Sequence, residues 1–311
     1  MSHRKIWVDL LLYPGHTLPT AAAPALVGLG LAWHDHVFDF MPAFVGFLAS
    51  WLVHIGGVFT DNYVLVTKTP QVREHPELND ALENGTLTRF TLRCAIVACF
   101  ALALLTGPYL LKVAGFFVVV FGVLGVVSSW AYAGGPLAYA RHGLADPIFF
   151  VMFGVVAVVG TYYVQAASHA LSPLNWYLVH AALPADAFIL GLPVGALVTN
   201  VLLIDDIRDH EPDRRKGWLT GAVRFGIGWN RGEIIVLTAF AYLAPFWFWL
   251  GRGFSPWVLL PLLTLPQAVS VARTVAMRDG FEDLFPMTPK AAFLSLAYGA
   301  LLAIGIAAPF A

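Results

Sequence analysis

Charge is scarce in this sequence. Of 311 residues only 18 are Lys or Arg and 19 are Asp or Glu, 12% in all, against roughly 25% in a soluble domain. Cysteine is nearly absent: Cys94 and Cys99 stand five apart in an apolar run, too few for a disulfide framework, and read as packing residues. Nor is there an excess of one sign, because the net charge is −1. That gives no support for a nucleic-acid partner, whose footprint would be a basic stripe. Disorder is excluded too, since it needs low hydrophobicity and high charge. What the chain has in abundance is apolar surface, 59% hydrophobic and 14% aromatic. No ordinary water-soluble globule has that composition, and a polytopic membrane protein is the class that remains.

A helix needs about 20 apolar residues to cross a hydrocarbon core of roughly 30 Å. Nine stretches qualify: 17–33, 39–60, 91–107, 110–133, 146–167, 182–204, 233–251, 255–275 and 289–310. The expected fold is all-α, a bundle of nine transmembrane helices. Arg4 and Lys5 precede the apolar run Ile6–Leu12, and no small-residue cleavage site follows. Met1–Tyr13 therefore reads as an interfacial approach to the first span. With the N-terminus inside, every Lys and Arg except Lys112 and Arg252 falls on the cytoplasmic side, as the positive-inside rule requires.

Two cytoplasmic segments are long and dense in charge, at about 61–91 after the second span and 205–232 after the sixth. The second reads Asp205-Asp206-Ile207-Arg208-Asp209-His210-Glu211-Pro212-Asp213-Arg214-Arg215-Lys216. On a continuing helix Asp206, Asp209 and Asp213 share one face, with Asp205 at its border; Pro212 is placed to bend or end that helix. Carboxylates converging at a helix end repel one another, and each costs roughly 2.5–3.5 kcal/mol at mid-bilayer depth. A divalent cation removes both objections, and hard oxygen ligands in a wet cavity suit Mg²⁺ shared with substrate phosphates. Arg214, Arg215 and Lys216 follow at once and would complete the neutralisation of a polyphosphate. The plainer reading is a solvated, salt-bridged loop whose cations serve topology alone.

In the first segment Asp61 and Asn62 are candidates for the same metal, and Lys68, seven residues on, for phosphate. Glu74, Glu77, Asp80 and Glu83, about three apart, read as the wet face of a short loop helix.

In these residues the chain resembles the UbiA superfamily of intramembrane prenyltransferases, and within it the branch that prenylates 1,4-dihydroxy-2-naphthoate for menaquinone. Four places carry the likeness. The opening Pro14-Gly-His-Thr17-Leu18-Pro19 is similar to the family's Pro-x-x-Thr-Leu-Pro. Asp205-Asp206-Ile-Arg208-Asp209-x-x-x-Asp213-Arg214 resembles its second acidic motif, with Asp205-Asp206 where that branch has two asparagines. Gly135–Tyr139 through Gly143–Asp146 resembles the loop between spans four and five, and Gly160-Thr-Tyr-Tyr-Val-Gln165 the end of span five. The first motif departs from the family pattern: Thr60-Asp61-Asn62-Tyr63-Val64 keeps at most one of its aspartates.

The resemblance implies one domain over 1–311, nine helices around a central cavity and a bacterial inner-membrane enzyme with its site on the cytoplasmic side. It implies Mg²⁺-dependent transfer of a prenyl group from a prenyl diphosphate, its tail among membrane lipids, to an aromatic acceptor. Asp61, Asp206, Asp209 and Asp213 would be catalytic, joined by Asn62 and Asp205 as metal ligands. Lys68, Arg208, Arg214, Arg215 and Lys216 would bind the diphosphate, and Asp146, Tyr162 and Tyr163 the acceptor. For the tyrosines, membrane-interface anchoring is the competing reading. The altered first motif leaves two alternatives open, an intramembrane terpene cyclase of the same superfamily and a non-catalytic lipid carrier.

Overall fold

The computed structural model describes residues 17–68, 76–170 and 183–309, and these are helical with no strand among them. In chain order the helices are α1 Thr17–His34, α2 Phe40–Lys68, α3 Pro76–Glu83, α4 Arg89–Ala114, α5 Val118–Ala131 and α6 Ala145–Ser168. There follow α7 Ala185–Arg208, α8 His210–Lys216, α9 Gly221–Phe225, α10 Ile227–Arg252, α11 Pro256–Met277 and α12 Phe281–Ala307. The Met1–Tyr13 approach, Pro14–His16 of the Pro-x-x-Thr-Leu-Pro opening, Glu74 and the side chain of Glu77 lie outside the described residues.

Seven helices, α2, α4, α6, α7, α10, α11 and α12, are long and apolar enough to cross a membrane. The expected count of nine is therefore seven by that measure among the described residues. Helices α1 and α5, with 18 and 14 residues, fill the other two expected stretches. One boundary moves. The sequence suggests a break at Gly107-Pro108, but the helical run continues to Ala114, because Pro108 sits at the start of a new helical turn, where its missing N–H is not needed. The chain turns instead at Gly115, whose φ of 71° suits glycine. Helix α2 runs on to Lys68 and α7 to Arg208, so Asp61 lies two turns before the end of its helix and Asp205 and Asp206 lie in the last turn of theirs.

Helix α7 is the most enclosed span and packs on α6, α10 and α12, while α1 packs on α2, α6 and α12. Lipid tails are as apolar as leucine, so helices in a bilayer associate through close contact at small residues. At the α6–α7 crossing a Cβ on Gly195 would lie 2.5 Å from the Gly154 Cα; at the α1–α12 crossing one on Gly299 would lie 2.8 Å from the Ala23 oxygen. Cys99 is buried as a packing residue, whereas Cys94 is exposed.

Because both obstacles are backbone atoms, Gly195→Leu and Gly299→Leu have nowhere to relax. Each should destabilise the protein by roughly 1–3 kcal/mol through overpacking, read as a lower melting temperature in detergent beside Gly107→Leu, where a Cβ meets nothing within 4 Å.

Candidate active site

A cavity of about 830 Å³ runs through the bundle between α1, α2, α4, α5, α6 and α7. One end is acidic, and every carboxylate that the sequence singled out for the metal reaches it. Asp61 and Asn62 come from α2, Asp205 and Asp206 from the last turn of α7, Asp209 from the link that follows and Asp213 from α8. Asp146, in the first turn of α6, borders the same end.

The α7–α8 segment stays nearly continuous. Only Asp209, at φ −100° and ψ 10°, leaves helical geometry, and the backbone bonds Asp209 N–H to Asp205 O and Asp213 N–H to Asp209 O are both 2.8 Å. Pro212 neither ends nor breaks α8, because it lies in the first turn, where no intrahelical donor is required. The one-face reading of Asp206, Asp209 and Asp213 is thus what the backbone delivers.

The chain's own cations partly neutralise this cluster. The Arg208 guanidinium lies 2.5 Å from Asp205 and also pairs with Asp209, and it packs over the rings of Phe281 and Phe285. Lys216 Nζ is 2.8 Å from Asp213, with the two side chains only 2% and 6% exposed, and sits 4.0 Å above the Trp218 ring. Burial pushes the Asp213 carboxyl above its ordinary pKa, with Lys216 pulling the other way. Thr288 donates to Asp205 and Thr220 to Asp213. Asp61 is the contrast: its Oδ1 is buried without a hydrogen-bond partner among the described residues, although the Lys216 charge acts on it.

Five candidates lie elsewhere. Lys68 is exposed at the end of α2, and Arg214 and Arg215 are exposed on α8, Arg214 paired with Glu211 at 3.2 Å. Tyr162 donates to Asp35 Oδ2 and Tyr163 to the Ala114 carbonyl, each at 2.6 Å, and neither lines the cavity. Their hydroxyls are committed to helix–helix contacts that no sequence spacing reveals. The cavity instead holds residues that sequence reasoning passed over: His54, Tyr132, Tyr139, Phe149, Phe153 and Trp218. Burial raises the Tyr139 hydroxyl to about 12, so it stays protonated as a hydrogen-bonding group. Single aromatics in apolar spans carry no spacing signal, and only the fold collects them.

Among the described residues no three His, Cys, Asp or Glu side chains form a ready-made metal cage. The donor set nonetheless fits Mg²⁺, which binds through one or two carboxylates, waters and substrate phosphates and needs no all-protein cage. The unpartnered Asp61 oxygen, facing a second group of carboxylates across one cavity, is the feature that such an ion would satisfy.

Fold and site together define a class: a polytopic helical membrane protein whose interior cavity is carboxylate-rich at one end and apolar along the rest. Comparison with known proteins narrows it. The description of the UbiA prenyltransferase family matches residues 21–297. A 1,4-dihydroxy-2-naphthoate octaprenyltransferase of Escherichia coli is 28% identical over 98% of this chain and 96% of its own. Among solved structures, an apo UbiA homolog from Aeropyrum pernix superposes with a TM-score of 0.66 at 14% identity, over 90% of this chain and 96% of that one. A UbiA homolog from Archaeoglobus fulgidus bound to DMAPP and Mg²⁺ gives 0.52 at 15%, over 95% and 99%. The chain belongs to the UbiA prenyltransferase family and is an enzyme of prenyl transfer.

The Lys216–Asp213 pair is enclosed on both sides, so removing one partner leaves an uncompensated charge. Lys216→Met should cost about 3 kcal/mol of stability, and the double variant Lys216→Met/Asp213→Leu should recover most of it. Thermal unfolding of the purified protein in detergent checks both.

Proposed function

We propose that this enzyme transfers a prenyl group from a prenyl diphosphate to an aromatic acceptor such as 1,4-dihydroxy-2-naphthoate, with Mg²⁺, at the cytoplasmic face of a bacterial inner membrane. The observation that carries this reading is the meeting of Asp61 with the Asp205–Asp213 stretch at one end of an otherwise apolar cavity. The naphthoate prenyltransferase of E. coli and the homolog bound to DMAPP and Mg²⁺ support the donor and acceptor classes. The distribution of Lys and Arg supports the orientation.

Asp61, Asn62, Asp205, Asp206, Asp209 and Asp213 would hold the metal. When bound, Mg²⁺ supplies Lewis-acid stabilisation of the departing diphosphate. Arg208 and Lys216 then exchange their own carboxylates for phosphate oxygens, holding the leaving group by charge-assisted hydrogen bonds. Lys68, Arg214 and Arg215, outside the cavity, are left with a role in the surface field. The prenyl tail lies along Leu104, Leu111 and Val123, which line the cavity and are also among the exposed apolar side chains, where tail and lipid meet. The allylic C–O bond breaks with its electron pair going to the diphosphate, and the acceptor ring donates the pair for the new C–C bond. The attacked ring carbon then gives up its substituent, a proton or the carboxyl group as CO2, whose bonding pair restores the aromatic ring. Tyr132, Tyr139 and Phe149 keep water from the allylic cation and offer it ring faces. Asp146 is the acceptor-side carboxylate.

Purified protein with Mg²⁺ and prenyl diphosphates of several lengths, with and without 1,4-dihydroxy-2-naphthoate, tests the reading. A prenylated aromatic supports it; a cyclic hydrocarbon formed without acceptor points to a cyclase, and absence of diphosphate release to a carrier. Chelation of Mg²⁺ should stop turnover reversibly. Asp209→Ala and Asp213→Ala should abolish turnover in folded protein, and full activity in both would refute the metal assignment. In contrast, Tyr162→Phe should keep kcat within about threefold of wild type while lowering the melting temperature, since a hydrogen bond to a charged group contributes roughly 1.5–3 kcal/mol to stability and this one stands outside the cavity.

A further inference from the structure

One histidine lies inside the cavity. His54 stands on α2 seven residues before Asp61, about 10.5 Å along the helix axis and on nearly the same face. Its Nε2 is 3.2 Å from the Thr20 hydroxyl on α1, and its ring meets Phe153 edge-on at 5.7 Å. The other nitrogen, Nδ1, has no hydrogen-bond partner among the described residues and is not sealed from the cavity.

His54 ends a wall of rings that begins at the acidic end. Successive centroids lie 5.6 Å apart from Tyr139 to Tyr132, 5.5 Å to Phe149, 5.1 Å to Phe153 and 5.7 Å to His54. Helix α6 carries Asp146 and, seven residues on, Phe153, so both helices set an aspartate at the acidic end and a ring two turns inside it.

In the transferase reading a diphosphate at the acidic end, gripped by Arg208 and Lys216, would direct its allylic carbon inward. The space between Asp61 and His54 is therefore where acceptor and allylic carbon meet. A hydrocarbon tail has no use for an imidazole, and a polar group left unpaired in an apolar site is costly. A planar acceptor stacked on the ring wall places a ring hydroxyl within reach of Nδ1, which donates or accepts according to the tautomer that the Thr20 bond selects. We propose that His54, held by Thr20, is the polar anchor that hydrogen-bonds a ring hydroxyl of the aromatic acceptor and selects hydroxylated rings over bare ones. This assignment presupposes the transferase reading and deepens it.

The test is calorimetric titration of full-length protein in detergent with 1,4-dihydroxy-2-naphthoate and its two mono-methyl ethers, alongside turnover. His54→Phe keeps a ring and loses the anchor; it should weaken acceptor binding tenfold or more while leaving the prenyl diphosphate KM within twofold. His54→Gln, which still hydrogen-bonds, should bind within about threefold of wild type. One methyl ether should bind wild type as weakly as the parent binds His54→Phe, with no further loss in that variant. Acceptor affinity unchanged in His54→Phe, or a shift in prenyl diphosphate KM or product chain length instead, would overturn the assignment. If His54→Phe fails to fold, equal wild-type affinity for the parent and both ethers overturns it. His54-dependent acceptor binding without any prenylated product would sink the transferase reading and leave the anchor standing.

Discussion

The constraint on which the structure depends is the cost of gathering carboxylates inside a membrane protein. Asp61, Asp205, Asp206, Asp209 and Asp213 share one end of a single cavity. Within it, Arg208 serves two of them and Lys216 a third, while one Asp61 oxygen has no partner among the described residues. The balance of negative charge that remains is what the proposed Mg²⁺ would neutralise, and through it the proposed diphosphate would be held. The fold supplies the compensation it can: carboxylates stand within two turns of helix ends and not at mid-span, the cations are stacked on Phe281, Phe285 and Trp218, and Thr288 and Thr220 donate to two of the acids.

Positioning such a cluster requires rigid helices that meet closely. The enclosure of α7 by α6, α10 and α12 fixes the Asp205–Asp209 end, and the glycine crossings bring backbones near enough to lock it without large side chains. Helix α2 serves two levels of the same cavity, Asp61 at the acidic end and His54 two turns inside. In the proposed reading the polar head and the reacting centre of the substrate take these two levels in turn.

Much of this was legible beforehand, for a reason. Helices in a bilayer must satisfy their backbone internally and cover themselves in apolar side chains, so composition and run length alone expose the class. The acidic stretch from Asp205 to Asp213 is contiguous and helical, so its spacing predicts a shared face, and the 2.8 Å backbone bonds through Asp209 maintain it. Other placements needed the fold. Tyr162 and Tyr163 sit beside cavity residues in sequence, but a helix turns about 100° per residue, and their hydroxyls point to Asp35 and Ala114. Arg214 and Arg215 adjoin Lys216, yet only Lys216 faces inward. Gly107-Pro108 looked like a boundary, and the helix passed through it.

By itself the sequence determined the membrane-helical class, the acidic motif and the paucity of charge elsewhere, because these depend on composition and on neighbours within two or three turns. Tertiary structure alone decided which carboxylates from the two halves face each other, which cations hold them, and that rings from α2, α6 and the connection between α5 and α6 form one wall. Such choices rest on contacts between residues as far apart as Thr20 and His54 or Tyr132 and Phe149, where no local periodicity records the pairing.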